Sequence, residues 1–247
     1  MLDKNQRAAS HLWAVPAAIS FCIIVVAVVL SVRPQLMLYF GHRQADLNLY
    51  YGTISITAAG LLVLSIVLKY ESTASGAKEM AVIGALSALS AASRLVIPVP
   101  NVKPCTFLII AAGYVFGPEA GVMVGILTPA VSNMFLGQGY WTVWQMLMWA
   151  IAGWSGSILK RFYPKITIEA FGAYAFSWGF LFGMPLDFAT WLSLNGNVSI
   201  LPEIMLAGVP WNLLDGLGNL LFVLVAGKYT ISILEKYRER FAVEYLD

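Results

Sequence analysis

Between Glu119 and Lys160 the chain runs through 40 residues, Ala120 to Leu159, without one formal charge. A hydrocarbon core of ~30 Å takes ~20 apolar helical residues, so this stretch is long enough to cross a bilayer twice. Gly137-Gln138-Gly139 breaks it near the middle, where the chain has to reverse. In lipid every backbone polar group needs an internal partner, which leaves helices or a closed barrel, and runs this continuous specify helices. The expected fold class is therefore all-α, a polytopic membrane protein.

The remainder of the chain repeats the pattern. Only 11% of residues are charged and the mean hydropathy is +0.76, against roughly 25% charged in a soluble domain. Ala8 to Val32 and Leu47 to Leu68 are each one span. The first follows Lys4 and Arg7 as a signal sequence would, but it exceeds the h-region length of about 7–15 residues and no A-x-A site follows, so it is expected to be retained. Ala77 to Pro98 is a third span, closed by Val-Ile-Pro-Val-Pro, because each proline disfavours helix in the residue before it. Cys105 to Phe116 is a short fourth, ended at Gly117-Pro118-Glu119. The long uncharged stretch supplies the fifth and sixth, Ile166 to Leu194 the seventh and Ile204 to Gly227 the eighth, with Asp215 inside it.

With the N-terminus inside, eight spans place 11 of the 15 basic residues on the inner side. Arg33, Arg43, Arg94 and Lys103 are left outside, and the positive-inside rule puts both termini in the cytoplasm. The tail, 228–247, spaces Ile231, Leu234, Arg238, Phe241 and Tyr245 at helical intervals among charges. Two readings stand for it, a helix on the inner membrane surface or partner and a solvated tail.

Several chemistries drop out. A net charge of +2 over a balanced set leaves no basic face for nucleic acid. Cys22 and Cys105 sit in separate apolar runs, so neither a disulfide framework nor a metal site is expected. The histidines, His11 and His42, both precede span three. Gly153-Trp154-Ser155-Gly156 matches the GxSG around the serine of intramembrane rhomboid proteases, but that chemistry needs a later histidine. There is no P-loop, so the chain is not expected to hydrolyse ATP by itself. No enzyme activity and no cofactor are expected.

Polar groups at membrane depth are costly, and their grouping carries the functional signal. Asn101 and Lys103 fall in the outer loop after span three, and Gln138, Tyr140 and Trp141 in the next outer loop. Trp144, Gln145 and Met148 continue from Trp141 down one face of span six. Span seven brings Asp187, Trp191 and Asn195 to the same side, and span eight brings Trp211, Asn212, Asp215 and Asn219. Trp211, Asp215 and Asn219 lie at i, i+4 and i+8, one helical face. Aromatic planes with amides and carboxylates describe a pocket for a planar or polyfunctional organic molecule. The competing reading makes Trp141, Trp144 and Trp191 an interfacial belt and Arg94 with Asp187 a structural ion pair.

Span three carries two stripes of small residues, Ala77, Ala81 and Ala85 beside Gly84, Ala88 and Ala92. Such faces let another helix approach closely, either within this chain or from a partner.

Residues Ala77 to Gly227 resemble the substrate-capture S component of energy-coupling factor transporters, the prokaryotic micronutrient importers. The resemblance is strongest from Val102 to Leu159. There an outer loop leads to a hairpin turned by Phe-Gly-Pro, an S-N-x-F-x-G helix end at Ser132 to Gly137 and a W-x-x-W-Q-M entry at Trp141 to Met146. Pro210 to Phe222 is similar to the family's last helix. The resemblance implies six core helices over 77–227, with substrate held near the outer face by the loops and the last three helices. It implies a coupling face on Ala81, Gly84, Ala85, Ala88 and Ala92 for a transmembrane coupling subunit. Two cytoplasmic ATPases would drive transport by toppling the S component in the membrane of a prokaryotic cell. Residues 1–76 depart from the pattern by adding two helices. The Leu136 to Met146 stretch looks most like members assigned to cobalamin-type or unassigned substrates, while flavin, thiamine and other vitamins stay open. The alternative is a stand-alone proton-coupled carrier using Asp187 or Asp215, and a third is a membrane enzyme or scaffold. Carriers often show internal repeats, which are not evident between the two halves.

Overall fold

The computed structural model describes residues 14–31, 53, 54, 57, 58, 60, 61, 64, 65, 76–97, 99–194 and 198–243. Helix α1 (Ala14–Ser31) precedes α2 (Gly76–Val96), α3 (Cys105–Phe116), α4 (Pro118–Leu136), α5 (Tyr140–Phe162), α6 (Ile168–Ser193), α7 (Leu201–Phe222) and α8 (Lys228–Val243). Among the described residues there is no strand. Seven of the eight expected spans correspond to α1 through α7. The expected second span is described only at eight positions between 53 and 65, all helical. Lys4, Arg7, His11, Arg33, His42, Arg43, Lys69, Asn195 and Tyr245 lie outside the described residues.

Helix ends follow local chemistry. Gly117, with φ 98°, ends α3 and is followed by Pro118 at the start of α4, where the missing proline N–H has no intrahelical partner to lose. Gly137, with φ 97°, ends α4. Thr142 Oγ1 accepts from the Gly139 N–H at 3.4 Å at the start of α5, and Thr167 Oγ1 caps α6 through the Ala170 N–H at 3.3 Å. One boundary differs from expectation. The last span does not stop at Gly227 but passes through one π-helical stretch, Val223–Gly227, into α8. By length and apolarity Lys78–Val96, Pro118–Leu136 and Val198–Glu239 suffice to cross a bilayer. Helices α5 and α6, at 23 and 26 residues, have the length.

The bundle is assembled by backbone contact, because lipid-like surroundings remove most of the hydrophobic drive between helices and leave close packing in its place. A Cβ on Gly113 or on Gly121 would land on the Gly153 carbonyl, one on Gly125 on the Trp149 carbonyl, and one on Gly156 on the Ile110 carbonyl. Helix α5 therefore touches α3 and α4 main chain to main chain. The GxSG match is part of this seam, and Ser155 Oγ donates to the Ala152 carbonyl of its own helix, at 2.6 Å. A second seam joins α6 and α7, where Gly179 faces Gly216 and the Asn212 carbonyl. Between the seams Phe171 meets Phe107 and Tyr114 edge-on, at centroid distances of 6.1 and 5.5 Å.

At the α8 end, Tyr114 Oη donates to the Tyr163 and Pro164 carbonyls at 3.1 Å. Lys160 lies over the Tyr114 ring and pairs with Glu235 at 2.9 Å, a half-exposed bridge worth at most ~1 kcal/mol. Helix α1 packs on the outside of α4 and α5, with Ile24 and Ala58 against Ile126, Ala130 and Met146. Ser20 Oγ donates to the Ala58 carbonyl at 2.8 Å. Among the described residues no helix packs closely on the small-residue stripes of α2. Ala81, Gly84, Ala85, Ala88 and Ala92 are all exposed, and a Cβ on Gly84 would meet nothing within 4 Å. Among the described residues, nothing supports the intrachain reading of these stripes. The opposite face of the same helix, with Ile83, Leu86, Ser87, Ser90 and Ala91, is the one buried.

These two kinds of glycine predict opposite outcomes for one substitution. Gly153→Ala forces two backbones apart and is expected to destabilise by about 1–3 kcal/mol. Gly84→Ala, on an open helix surface, is expected to stabilise by up to ~1 kcal/mol. Thermal unfolding of both variants in detergent, with melting shifts of opposite sign, checks this.

Candidate functional site

At the end of the bundle away from α8, a cavity of about 390 Å³ opens where α2 ends, α3 and α5 begin, α6 nears its end and α7 has made its first turns. The loop between α2 and α3 supplies Pro100, Asn101 and Lys103, α5 supplies Gln145 and Trp149, α6 Phe182, Gly183, Leu186 and Asp187, and α7 Trp211, Asn212 and Asp215. Arg94 and Cys105 complete the lining.

Each polar group is placed by a neighbour. Asn101 takes φ 59°, a left-handed conformation that asparagine tolerates better than most residues, and its Nδ2 donates to the Trp211 carbonyl at 3.2 Å. The loop leans on α7 because residue 218 is glycine; a Cβ there would stand 3.0 Å from Val102 Cα. Gly183 makes room for the Asn212 amide and Gly208 for the Asp187 carboxylate, so that Asn212 Nδ2 donates to Asp187 Oδ2 at 2.8 Å.

Arg94 is only 7% exposed. Its Nη1 donates to Ser132 Oγ and to Asn133 Oδ1, the latter at 3.0 Å. The Asn133 amide in turn donates to Thr142 Oγ1 at 2.9 Å and Gln145 Oε1 at 2.8 Å. The guanidinium carbon sits 4.8 Å from the Trp149 ring centre, a cation–π contact. Trp149 also stacks on Phe182 at 4.4 Å and 16° and donates to Thr106 Oγ1 at 3.0 Å. The Ser-Asn pair at the end of α4 is therefore the anchor of the arginine, and the arginine is held by neutral groups.

That arrangement does not support the competing reading of Arg94 and Asp187 as an ion pair. Asp187 is satisfied by Asn212, and among the described residues no carboxylate closes on Arg94. Burial holds the Lys103 ammonium below its usual pKa, and the nearby Arg94 charge adds to the depression. No group of His, Cys, Asp and Glu that could hold a metal occurs among the described residues.

Seven residues singled out from the sequence meet at this one cavity: Asn101, Lys103, Gln145, Asp187, Trp211, Asn212 and Asp215. Trp144 instead packs against the Ala27–Val143 cluster with Tyr140. Trp141 stacks edge-on with Tyr140 at 5.3 Å and donates to the Gly137 carbonyl. Trp191 lies 5.1 Å from Phe188. Trp149 and Phe182 were missed, although the i, i+4 step from Gln145 to Trp149 marks the inward face of α5.

A helical bundle of membrane-spanning length, with a polar and aromatic cavity open near one end, defines a membrane protein that binds an organic solute. A family model described as "ECF-type riboflavin transporter, S component" matches residues 75–236. The chain belongs to that family of S components of energy-coupling factor (ECF) transporters, which makes it the substrate-binding subunit of a vitamin importer and a membrane partner of an ECF module. No individual curated protein and no solved structure matches the chain.

The Arg94 cluster yields a prediction of its own. Asn133→Leu removes one acceptor from the buried arginine and the donor to Gln145, and is expected to cost about 1–3 kcal/mol of stability. Thermal unfolding in detergent, with and without the Gln145→Leu change beside it, measures the loss and the coupling within the network.

Proposed function

We propose that this chain captures a vitamin with a flat ring system from the outer side of a prokaryotic cell membrane and delivers it to a coupling subunit powered by two cytoplasmic ATPases. The observation that carries the proposal is the cavity of about 390 Å³, which joins the Trp149–Phe182 stack to four charged side chains. Its size lies within the ~300–1,000 Å³ of small-molecule sites. The aromatic wall suits the face of a ring, and the amides and charges suit its polar rim. The division of basic residues, 11 against four, favours an outward-facing cavity with both termini inside.

Riboflavin, the vitamin in the matched family's description, is of a size this cavity accommodates. A cobalamin-type substrate is the second reading, supported by the likeness of the Leu136 to Met146 stretch. A corrinoid has several times the volume and requires the loop carrying Asn101 and Lys103 to move outward. Membership of the family does not favour a proton-coupled carrier acting through Asp187 or Asp215.

Coupling is assigned to the exposed stripes of α2. Beside them an apolar groove of about 450 Å³ runs between α2 and α8, with Ala81, Ala85, Leu86 and Leu89 facing Leu234 and Tyr237. Helix α1 packs on α4 and α5 instead, so it leaves this face open.

Two measurements test the proposal. Trp149→Ala and Trp211→Ala are each expected to weaken vitamin binding by the purified protein, without ATP, by about tenfold to a hundredfold. Trp154→Ala, at a half-exposed position away from the cavity, leaves it unchanged. Ala85→Trp and Ala88→Trp are expected to abolish uptake by cells and co-purification of the coupling subunit while binding persists. Loss of binding in those two variants assigns α2 a structural role in the site and removes the coupling assignment.

A further inference from the structure

The polar side chains that link α2, α4 and α5 are joined in one order of donors and acceptors. A guanidinium donates hydrogen bonds and accepts none, so the atom that receives Arg94 Nη1 at 3.0 Å has to be the oxygen of the Asn133 amide, Oδ1. The Asn133 nitrogen then faces the other way, where it donates to Thr142 Oγ1 at 2.9 Å and to Gln145 Oε1 at 2.8 Å. Asn133 is 1% exposed. Turning its amide over would set N–H against N–H beside the arginine, at a depth that bulk solvent does not reach.

The consequence passes to Gln145. With Oε1 engaged by Asn133, the free end of this side chain is Nε2, a donor. It makes no hydrogen bond among the described residues, and unlike the amide of Gln138 it is not sealed inside the protein. Gln145 lines the cavity one helical turn before Trp149, so this donor and the Trp149 ring belong to the same wall.

We infer that Arg94 and Asn133 are positioning residues that set which end of Gln145 meets the ligand, and that Gln145 donates from Nε2 to an acceptor on the ligand's rim. The inference rests on the cavity being the capture site and fixes the polarity that its α5 wall reads. A carbonyl oxygen or an unprotonated ring nitrogen is accepted there, whereas an N–H meets donor against donor. The buried arginine thus acts on the ligand through two amides.

Asn133→Asp tests the relay. The new carboxylate still accepts from Arg94 but no longer donates, so Gln145 turns over, gives Nε2 to the carboxylate and leaves Oε1 toward the cavity. The first readout needs no ligand. With isotope-labelled glutamine in the purified full-length chain, the Gln145 amide signal is assigned by its loss in Gln145→Leu. Its protons are expected to exchange with water about tenfold more slowly in Asn133→Asp, where they are bonded, than in the unaltered protein. The second readout is equilibrium dialysis against riboflavin, thiamine, cobalamin, biotin and nicotinate. The vitamin bound tightest by the unaltered protein is expected to lose about tenfold to a hundredfold in affinity in Gln145→Leu and in Asn133→Asp. Combining the two changes is expected to add nothing to the loss from Gln145→Leu. A purely structural part for Asn133 lowers affinity in both backgrounds and leaves the Gln145 exchange unchanged; either result in folded protein overturns the relay and leaves vitamin capture standing. A third readout depends on no variant folding: saturating the unaltered protein with that vitamin is expected to slow the Gln145 exchange, and an unchanged rate overturns its role as donor. Binding of none of the five by folded protein overturns the capture reading and the ligand contact of Gln145 with it.

Discussion

The main-chain contact of α5 with α3 and α4 governs the arrangement of the rest. At Gly113, Gly121, Gly125, Gly153 and Gly156 the partner atom is a backbone carbonyl, which no rotamer change can move aside. In a water-soluble bundle a comparable position is set by burying side chains. Here the surroundings are themselves apolar, so close approach and van der Waals contact take over that role. Once α5 is seated in this way, Gln145 and Trp149 have one available position. The short loop from α4 to α5 then brings Asn133 within reach of both Arg94 and Gln145.

The cavity is thus built from two different kinds of order. Its α2, α4 and α5 side is a hydrogen-bonded network that runs from Arg94 Nη1 through Ser132 and Asn133 to Thr142 and Gln145, with Arg94 Nε left without a partner. Its α7 and loop side is open, and among the described residues Lys103 and Asp215 form no ion pair. A connected network holds its shape without ligand, whereas open charges gain by meeting one. Rigidity and affinity are therefore divided between opposite walls of one site.

Much of this was legible in the residues because the membrane imposes strong rules. Charge-free length located α4 and α5 and the break between them, and the proline-rich end of α2 and the Gly-Pro turn after α3 followed from backbone chemistry alone. Five of the cavity residues, Asn101, Gln145, Asp187, Asn212 and Asp215, stand out because amides and acids are rare in and beside membrane spans. What stayed hidden was rotational. Tryptophans at 141, 144 and 149 look alike in sequence, and only the seam at Gly153 decides that Trp149 turns inward while Trp144 meets α1. The partners of Arg94 are hidden for a related reason, since a buried cation invites an acidic partner and the sequence offers no sign that neutral Ser132 and Asn133 serve instead. The α2 stripes were ambiguous because small residues serve inner and outer contacts equally well.

The absence of a stop at Gly227 has a mechanical consequence. Residues Val198–Glu239 form 42 residues of nearly unbroken helix, roughly 63 Å at 1.5 Å per residue, about twice the ~30 Å of hydrocarbon it crosses. One arm of this rod carries Asn212 and Asp215, and the other carries Leu234 and Tyr237 beside the α2 groove. The π turn between them is a local widening of the helix that leaves the chain helical through it. One continuous helical element therefore joins the wall of the cavity to the face beside the α2 groove, so the two ends of the bundle are held in a fixed relation by a single piece of backbone.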